Sequence, residues 1–334
     1  MTSSSPLLSV RDLEISFRTG GREIPVVRDL SFDLSAGETL GIVGESGCGK
    51  SITALSLIGL VPSPPGRVSK GQILLNGEDI VTAGEDRLTR IRGNEISMVF
   101  QEPMTSLNPV YTVGEQIAET ARAHFGSSRA EAWDRAIEML KLVGIPSPEQ
   151  RAHNYPHQLS GGMRQRVMIA IALVCEPKVL IADEPTTALD VTVQAQIFDL
   201  FRELQHKIKA AIILITHDIG VVAQMCDRVM VMYAGRKIEE GPVRSFIRDP
   251  RHPYTRGLIS CIPKLSRDPS DTPEPLFEIP GVVPSPADLA ELKGCAFAPR
   301  CNRAIDECLL HSPALTPLGP DRAVACLRQE EIPA

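Results

Sequence analysis

The stretch "GESGCGKS", Gly44 to Ser51, fits the pattern G-x-x-x-x-G-K-[ST] at every defined position. It lies between "ETLGIVG" (38–44), which predicts a short buried strand, and "SITALSLIGL" (51–60), which has helical periodicity. Glycines let backbone N–H groups turn around phosphate oxygens, and a helix N-terminus adds a favourable dipole. The sequence therefore predicts a nucleotide phosphate-binding loop made of Gly44, Glu45, Ser46, Gly47, Cys48, Gly49, Lys50 and Ser51.

A second element of a nucleotide site is "VLIADE" (179–184), an apolar strand that ends in two carboxylates. Beside a phosphate loop, Asp183 and the hydroxyl of Ser51 fit the ligands of a nucleotide-bound Mg²⁺, and Lys50 supplies charge to the β- and γ-phosphates. Glu184 projects one residue further and could polarise a water molecule. The alternative, a solvated acidic pair at a strand end, is weaker in this context.

The order of elements predicts an α/β fold. Two apolar strands, "KVLIAD" (178–183) and "AIILIT" (211–216), flank a helical segment, which favours a parallel sheet covered on both faces. Residues 7–34 alternate as antiparallel strands do, and residues 104–160 are mainly helical in pattern. From residue 250 onward the chain holds 14 of its 27 prolines and no long periodic segment, which predicts a loop-rich appendage.

Composition excludes some functions. The net charge is −6, which disfavours nucleic acid as a main partner because a polyanion needs a basic face. The longest apolar run, Val167 to Cys175, has nine residues, whereas a spanning helix needs roughly 20. The first ten residues lack the features of a signal peptide. We therefore expect a cytosolic chain, in which stable disulfides are rare.

Three further motifs indicate a family. "LSGGMRQR" (159–166), "EPTTALD" (184–190) and "THD" (216–218), together with the phosphate loop and Gln101 in "VFQEP", resemble the nucleotide-binding subunits of ATP-binding cassette (ABC) transporters. The resemblance covers about residues 7–260. It implies a P-loop NTPase (RecA-like) core that carries an antiparallel β subdomain and an α-helical subdomain.

The branch of this family is indicated by "FQEPMTSLNP" (100–109) and "RHPYTRGL" (251–258), which resemble the ATPases of oligopeptide and dipeptide importers. The implied domains are a nucleotide-binding domain at 1–255, with its helical subdomain at about 102–165, and a cysteine-containing extension at 256–334.

The resemblance also implies roles for individual residues. Glu184 resembles the catalytic carboxylate that orients or deprotonates the attacking water, and His217 resembles the histidine that contacts the γ-phosphate. Gln101 resembles the glutamine that senses Mg²⁺ and water. None of these positions is replaced, so the resemblance implies an active ATPase.

A second set of residues is expected to act across a dimer, on the ATP held by another subunit. It consists of Ser160, Gly161, Gly162 and Asp190. Ser160 suits a helix N-cap, and the glycines leave backbone N–H groups open for an anion. Phe17 matches by position the aromatic residue that stacks on adenine, and a core residue of its strand is the alternative.

The resemblance further implies partners and a location. The partners are two integral membrane permease subunits, a second ATP-binding subunit (a related chain rather than a second copy) and, indirectly, an extracytoplasmic substrate-binding protein. The chain would lie peripherally on the cytoplasmic face of the inner membrane. Dipeptides, longer peptides, glutathione and nickel chelates stay open as cargo. A soluble ABC ATPase of translation or DNA maintenance is the alternative, and a scaffold without turnover is disfavoured.

Four of the eight cysteines lie near the C-terminus, at Cys295, Cys301, Cys308 and Cys326. Their spacings are x₅, x₆ and x₁₇, in a proline-rich segment without an evident core. Loop-rich segments often need a metal or covalent staple, and four thiolates suit Zn²⁺ or an iron–sulfur cluster. The family resemblance favours a [4Fe–4S] cluster, with zinc or unliganded thiols as the alternatives.

Overall fold

The computed structural model describes residues 5–101, 106–186, 190–262 and 277–331. Its strands are β1 (Leu8–Thr19), β2 (Arg22–Leu34), β3 (Thr39–Val43), β4 (Gly66–Leu75), β5 (Glu78–Asp79), β6 (Ile96–Val99), β7 (Val179–Asp183), β8 (Ala211–Ile215), β9 (Arg228–Tyr233), β10 (Arg236–Pro242), β11 (Thr316–Pro317) and β12 (Ala323–Val324). They form a four-stranded sheet in the order β2-β1-β4-β5 and an eight-stranded sheet in the order β11-β12-β10-β9-β3-β8-β7-β6.

The helices of the described residues are α1 (Lys50–Ser56), α2 (Glu85–Ile91), α3 (Val113–Phe125), α4 (Arg129–Leu142), α5 (Pro148–Arg151), α6 (Gly161–Leu173), α7 (Val191–Ile208), α8 (Ile219–Met225), α9 (Val243–Arg248), α10 (Pro253–Ser260), α11 (Pro286–Glu291) and α12 (Asp306–Leu310). None of these helices combines the length and the apolar character that crossing a bilayer requires.

The centre of the larger sheet is parallel, as the sequence predicted. β3 pairs with β8 and β9, and β7 pairs with β6 and β8. Every residue of β3, β7 and β8 is buried, because helices and the second sheet cover both faces. Since parallel strands run the same way, the segments that follow Val43, Asp183 and Ile215 meet at one edge of the sheet.

The four-stranded sheet is antiparallel, with β1 paired to both β2 and β4. Its inward residues pack on the central sheet: Leu13 and Ile15 of β1 share one buried cluster with Leu40 and Ile42 of β3. This packing fixes the strand that carries Phe17 relative to the phosphate loop.

Helices α3 to α6 form the helical region. The side chain of Thr112 caps α3. Ser128 caps α4 and forms a reciprocal capping box with Glu131. A backbone N–H group in the first turn of each helix therefore has a local hydrogen-bond partner. α6 is buried along most of its surface, and Val167 and Ile169 have no exposed area. The first residues of the predicted helical subdomain, 102–105, lie outside the described residues.

The C-terminal extension continues the main sheet. β12 pairs with β10 through Val324 opposite Glu239, and β11 pairs with β12. The described residues 277–331 contain only short helices and strands, as expected for a loop-rich appendage. Their attachment, however, is a strand pairing that the sequence did not reveal. The limits of the predicted domains stay predictions.

A stability prediction concerns Gly114 in α3. A Cβ at this position would lie 2.8 Å from the carbonyl oxygen of Ala152 and 2.8 Å from the ring of Trp133. We expect Gly114→Ala to lower the free energy of unfolding by about 1–3 kcal/mol through overpacking. Urea unfolding followed by the fluorescence of Trp133, the chain's single tryptophan, measures it. Glu119→Ala, at an exposed position of α3, is the control and should change stability by less than about 0.5 kcal/mol. Equal effects would contradict the packing argument.

Candidate nucleotide-binding and hydrolysis site

The phosphate loop connects β3 to α1 and has the backbone that the motif predicts. Gly44 has φ 154° and Gly49 has φ 102°, in the region that favours glycine. A Cβ on Gly44 would lie 2.2 Å from the carbonyl oxygen of Met232, so only glycine fits this close approach. Cys48 has no exposed area and burial raises the pKa of its thiol, so it is an unreactive small residue of the loop.

Lys50 is held inside the loop. Only 6% of the residue is exposed, and its Nζ donates to the carbonyl oxygens of Gly44 at 2.8 Å and Glu45 at 3.0 Å. The third contact, to Cys48 Sγ at 3.8 Å, is weak. An ammonium has three donors, so a phosphate oxygen can replace the sulfur while the two carbonyl bonds hold the charge in place.

Asp183 and Ser51 lie together, as the sequence predicted. Asp183 ends β7 and is 3% exposed. Burial raises the pKa of Asp183, and a hydrogen bond from Ser51 opposes this shift. Within the described residues, Asp183 Oδ1 is buried without a hydrogen-bond partner. A buried carboxylate oxygen that lacks a partner, beside a hydroxyl, fits the oxygen ligands that Mg²⁺ prefers.

The three predicted catalytic side chains converge. Gln101 Nε2 donates to Glu184 Oε2 at 2.9 Å, and His217 Nδ1 lies 3.6 Å from Glu184 Oε1. Glu184 has φ 45°, an unfavourable backbone that its N–H bond to the Ile215 carbonyl oxygen, at 2.9 Å, helps to hold. The His217 side chain is 71% exposed, whereas that of Glu184 is 18% exposed. Strained residues of this kind cluster at functional sites.

The residues expected to act across a dimer lie at the starts of two helices. Ser160 caps α6 by accepting from the N–H of Met163 at 3.3 Å, and Asp190 caps α7 by accepting from the N–H of Val193 at 3.0 Å. Gly162 also lies against Val193. A Cβ added to Gly162 would be 2.8 Å from Cγ1 of Val193. Ser160 and Gly161 are exposed, as a site for another subunit's ligand requires. Residues 187–189 of the "EPTTALD" motif lie outside the described residues.

Phe17 lies at the edge of the β-subdomain core. It pairs with Ile24 and Gly66, and a Cβ on Gly66 would lie 2.9 Å from its ring. The residue is half-buried, so one part of the ring packs on the core and the other stays accessible. Stacking on adenine remains a prediction.

The four C-terminal cysteines line one cavity, together with His252 and Phe297. All four are free and partly buried. Burial raises the pKa of Cys295 to about 11 and also raises the pKa values of Cys301 and Cys326, with the neighbouring thiols adding to the shift. The donor set fits a thiolate-bound metal. In the part of the chain that the structure describes, however, no three His, Cys, Asp or Glu side chains are already close enough to hold an ion.

Two residues that the sequence did not single out contact the phosphate loop. Tyr254, with no exposed area, accepts a hydrogen bond from the N–H of Glu45 at 2.8 Å. Arg300 donates to both carboxylate oxygens of Glu45, at 2.6 and 2.9 Å. The "RHPYTRGL" motif contained Tyr254, but only the fold reveals which residue its hydroxyl contacts.

The "RHPYTRGL" segment is itself held rigidly. Buried Glu239 accepts from the N–H groups of Arg251 and His252, both at 2.8 Å. His252 then caps α10 by accepting from the N–H of Tyr254 at 3.0 Å. These bonds define the start of α10 and aim the Tyr254 hydroxyl at the phosphate loop.

Comparison with protein families agrees with this geometry. Residues 27–187 match the family model described as "ABC transporter", and residues 238–308 match the model of the "Oligopeptide/dipeptide transporter, C-terminal region". The second match covers Tyr254, Arg300 and three of the four C-terminal cysteines.

Several curated proteins are similar over almost the whole chain. A putative peptide import ATP-binding protein of Brucella melitensis is 50% identical, covering 99% of this chain and 100% of that protein. The oligopeptide transport ATP-binding protein OppD of Salmonella typhimurium is 50% identical over 97% of this chain and 94% of its own length. OppD of Bacillus subtilis is 53% identical over 90% of this chain and 82% of its own length.

Solved structures confirm the predicted cassette fold. The dimeric post-hydrolysis structure of the ATP-binding cassette MJ0796, bound to ADP and Pi, has a TM-score of 0.63 and 30% identity, covering 71% of this chain and 99% of that one. The structure of cbiO1 from Clostridium perfringens, part of a cbiONQ transporter complex, has a TM-score of 0.63 and 30% identity, covering 74% of this chain and 92% of that one.

The near-complete coverage by relatives, added to a cassette fold, places this chain among the ATP-binding proteins of the oligopeptide/dipeptide ABC transporter family, a family of ATPases.

Proposed function

We propose that this chain hydrolyses ATP to power the import of peptides through separate membrane subunits. The observation that carries the proposal is the convergence of Gln101 and His217 on Glu184, one residue beyond buried Asp183 and at the same sheet edge as the phosphate loop. A nucleotide site with this set of groups can both bind a triphosphate and activate water.

Glu184 is the group that takes a proton from the attacking water. As the oxygen of that water bonds to the γ-phosphorus, the bond from phosphorus to the ADP oxygen breaks, which yields ADP and phosphate. Gln101 holds Glu184 Oε2 by its amide, so the carboxylate keeps one orientation. His217 lies beside Oε1 and, with most of its side chain exposed, can reach the γ-phosphate.

Mg²⁺ would be held by Ser51 and Asp183, with Gln101 nearby, and would neutralise the negative charge of the β- and γ-phosphates. Lys50 contributes a second positive charge from within the loop. These groups bind and orient the triphosphate, while the buried setting of Asp183 limits competition from solvent.

A second ATP-binding subunit completes the site. Ser160, Gly161, Gly162 and Asp190 would contact the ATP of that subunit, and the two chains would sandwich two nucleotides head to tail. The exposed start of α6 supports this, and the similar MJ0796 cassette is a dimer in its post-hydrolysis structure. ATP would favour the closed dimer, and hydrolysis would reopen it. A related chain is the expected partner.

The helical region is the proposed docking surface for two permease subunits. It exposes Val110 (71%), Tyr111 (52%) and Phe125 (48%), large apolar residues that a partner would cover. The chain would then lie peripherally on the cytoplasmic face of the inner membrane, with an extracytoplasmic substrate-binding protein as an indirect partner through the permease. Peptides are the proposed cargo because the relatives are named for peptide import and oligopeptide transport. Nickel chelates and glutathione are the alternative cargos.

We further propose a [4Fe–4S] cluster on Cys295, Cys301, Cys308 and Cys326. The support is that these four thiols, and not the other four of the chain, line a common cavity. Binding would require the thiolate forms and a small inward shift of the side chains. Zinc is the alternative metal.

The first functional prediction concerns Glu184. In the assembled transporter, Glu184→Gln should lower kcat for ATP hydrolysis by at least about 100-fold, because the amide cannot accept the proton from water. Bound ATP should persist, since Glu184 is not a phosphate ligand in this scheme. Phosphate release measures the rate, with Glu203→Gln, at an exposed residue of α7, as the control. Equal rates in wild type and Glu184→Gln would remove Glu184 from its role.

The second concerns the membrane partner. Val110→Asp should abolish co-purification of the tagged chain with permease subunits from detergent-solubilised membranes, because it puts a charge on the proposed docking surface. Val282→Asp, at a more accessible valine of the extension (85% exposed), should leave co-purification intact. Recovery of ribosomes or DNA in place of integral membrane proteins would favour the soluble alternative instead.

The third concerns the cysteine centre. Chain purified without oxygen should contain about four iron and four sulfide per polypeptide, with visible absorption. Cys308→Ser should lose most of the iron, whereas Cys261→Ser, whose thiol does not line the cavity, should retain it. Stoichiometric zinc would replace the cluster assignment by a zinc site. If the wild-type chain contains neither iron nor zinc, the cysteines have no metal role.

A further inference from the structure

We propose that Arg300 of the C-terminal extension is a positioning residue of the ATP site, which holds the phosphate loop and compensates its negative charge through Glu45. The proposal rests on ATP binding alone and is independent of the cargo and of any metal on the cysteines. It makes the extension a working part of the nucleotide site.

The contact is a two-point ion pair between distant parts of the chain. Arg300 Nη1 lies 2.6 Å from Glu45 Oε2, and Nη2 lies 2.9 Å from Oε1. The side chains are 4% and 28% exposed, respectively, so the pair is shielded from solvent on the arginine side. Bidentate arginine–carboxylate pairs are stronger and more directional than single contacts. Less solvent also means weaker screening by salt.

Arg300 is held in place before it reaches Glu45. Its Nε donates to the carbonyl oxygen of Pro280 at 2.8 Å, and its guanidinium lies 5.8 Å from the ring centre of Tyr233 and 5.9 Å from that of Phe297. A guanidinium fixed by a carbonyl and two aromatic rings loses little entropy when it pairs. It therefore sets the position of Glu45 and does not merely follow it.

Three groups of Glu45 make contacts that hold it in place. Its carboxylate binds Arg300, its N–H donates to Tyr254 at 2.8 Å, and its carbonyl oxygen accepts from Lys50 at 3.0 Å. Two of these contacts come from the region that matches the C-terminal family model, whereas Glu45 lies in the region that matches the cassette model. The position of the phosphate-binding lysine thus depends on a residue that the extension holds.

The charge of Glu45 gives the pair a consequence for binding. Its carboxylate lies in a loop that must accept a triphosphate, so an unpaired negative charge there would repel the ligand. Arg300 neutralises this charge and fixes the loop backbone. Loss of Arg300 should therefore weaken ATP binding, and removal of the Glu45 charge should restore most of it.

A double-mutant cycle tests this with the full-length chain, Mg²⁺ and the non-hydrolysable analogue AMP-PNP, titrated by calorimetry. Arg300→Gln should raise Kd about tenfold, equivalent to about 1.4 kcal/mol. Glu45→Gln and the double variant should both bind within about threefold of wild type, because neither retains an uncompensated carboxylate. Arg300→Lys keeps the positive charge but loses the two-point contact, so its Kd should lie between those of wild type and Arg300→Gln.

Arg322→Gln is the matched control. Arg322 also ties the extension to the cassette, since it donates to Asp249 Oδ2 at 3.0 Å, but its partners lie outside the phosphate loop. This variant should leave the Kd for AMP-PNP unchanged. In the assembled transporter, Arg300→Gln should raise KM for ATP more than it lowers kcat, because it removes binding and not proton transfer.

The proposal is overturned if Arg300→Gln binds AMP-PNP as wild type does, or if the double variant is as weak as the single one. The same holds if Arg322→Gln weakens binding equally, since attachment of the extension would then be the whole effect. If the single variant Arg300→Gln does not fold, the Kd of the double variant (Arg300→Gln with Glu45→Gln) for AMP-PNP decides the question. Near wild-type binding supports charge compensation, and a tenfold loss contradicts it.

Discussion

The parallel pairing of β3 with β8 and of β8 with β7 is the interaction on which the site depends. It buries three apolar strands completely, so their backbone groups must pair with one another. The shared direction of the strands then leaves their carboxyl ends at one edge. The phosphate loop follows one strand, the two carboxylates end the next, and His217 follows the third.

Electrostatics at this edge are balanced by short-range partners. Asp183 is buried beside Ser51, and one of its oxygens has no partner among the described residues, which suits a cation. The Gln101 amide holds the carboxylate of Glu184, and the bond from the Glu184 N–H to the Ile215 carbonyl oxygen holds its unfavourable backbone conformation. Glu45 is paired with Arg300. Each carboxylate is therefore either paired or placed where positive charge is expected during the reaction.

The extension is joined to the cassette by several independent contacts. β12 adds to the main sheet, Arg322 pairs with Asp249, and Arg300 reaches the phosphate loop. Its four cysteines line one cavity, and Cys301 directly follows Arg300 in the chain. The segment is thus built around the nucleotide site although its elements are short.

The phosphate loop, the strand that ends in Asp183 and the motif residues Gln101 and His217 were all predictable from the sequence, because each is encoded by a contiguous pattern whose local physics is specific. The partners of Glu45 were not: Tyr254 and Arg300 are 209 and 255 residues away, and no local pattern records which side chain a distant one will meet. The cysteine spacing likewise suggested a common centre, but only packing shows that the four thiols line one cavity. By itself the sequence determined the class of fold and the residue types of the candidate hydrolysis site, whereas the tertiary structure alone decided that Arg300 of the extension contacts Glu45 of the phosphate loop, since long-range contacts follow from the packing of the whole chain.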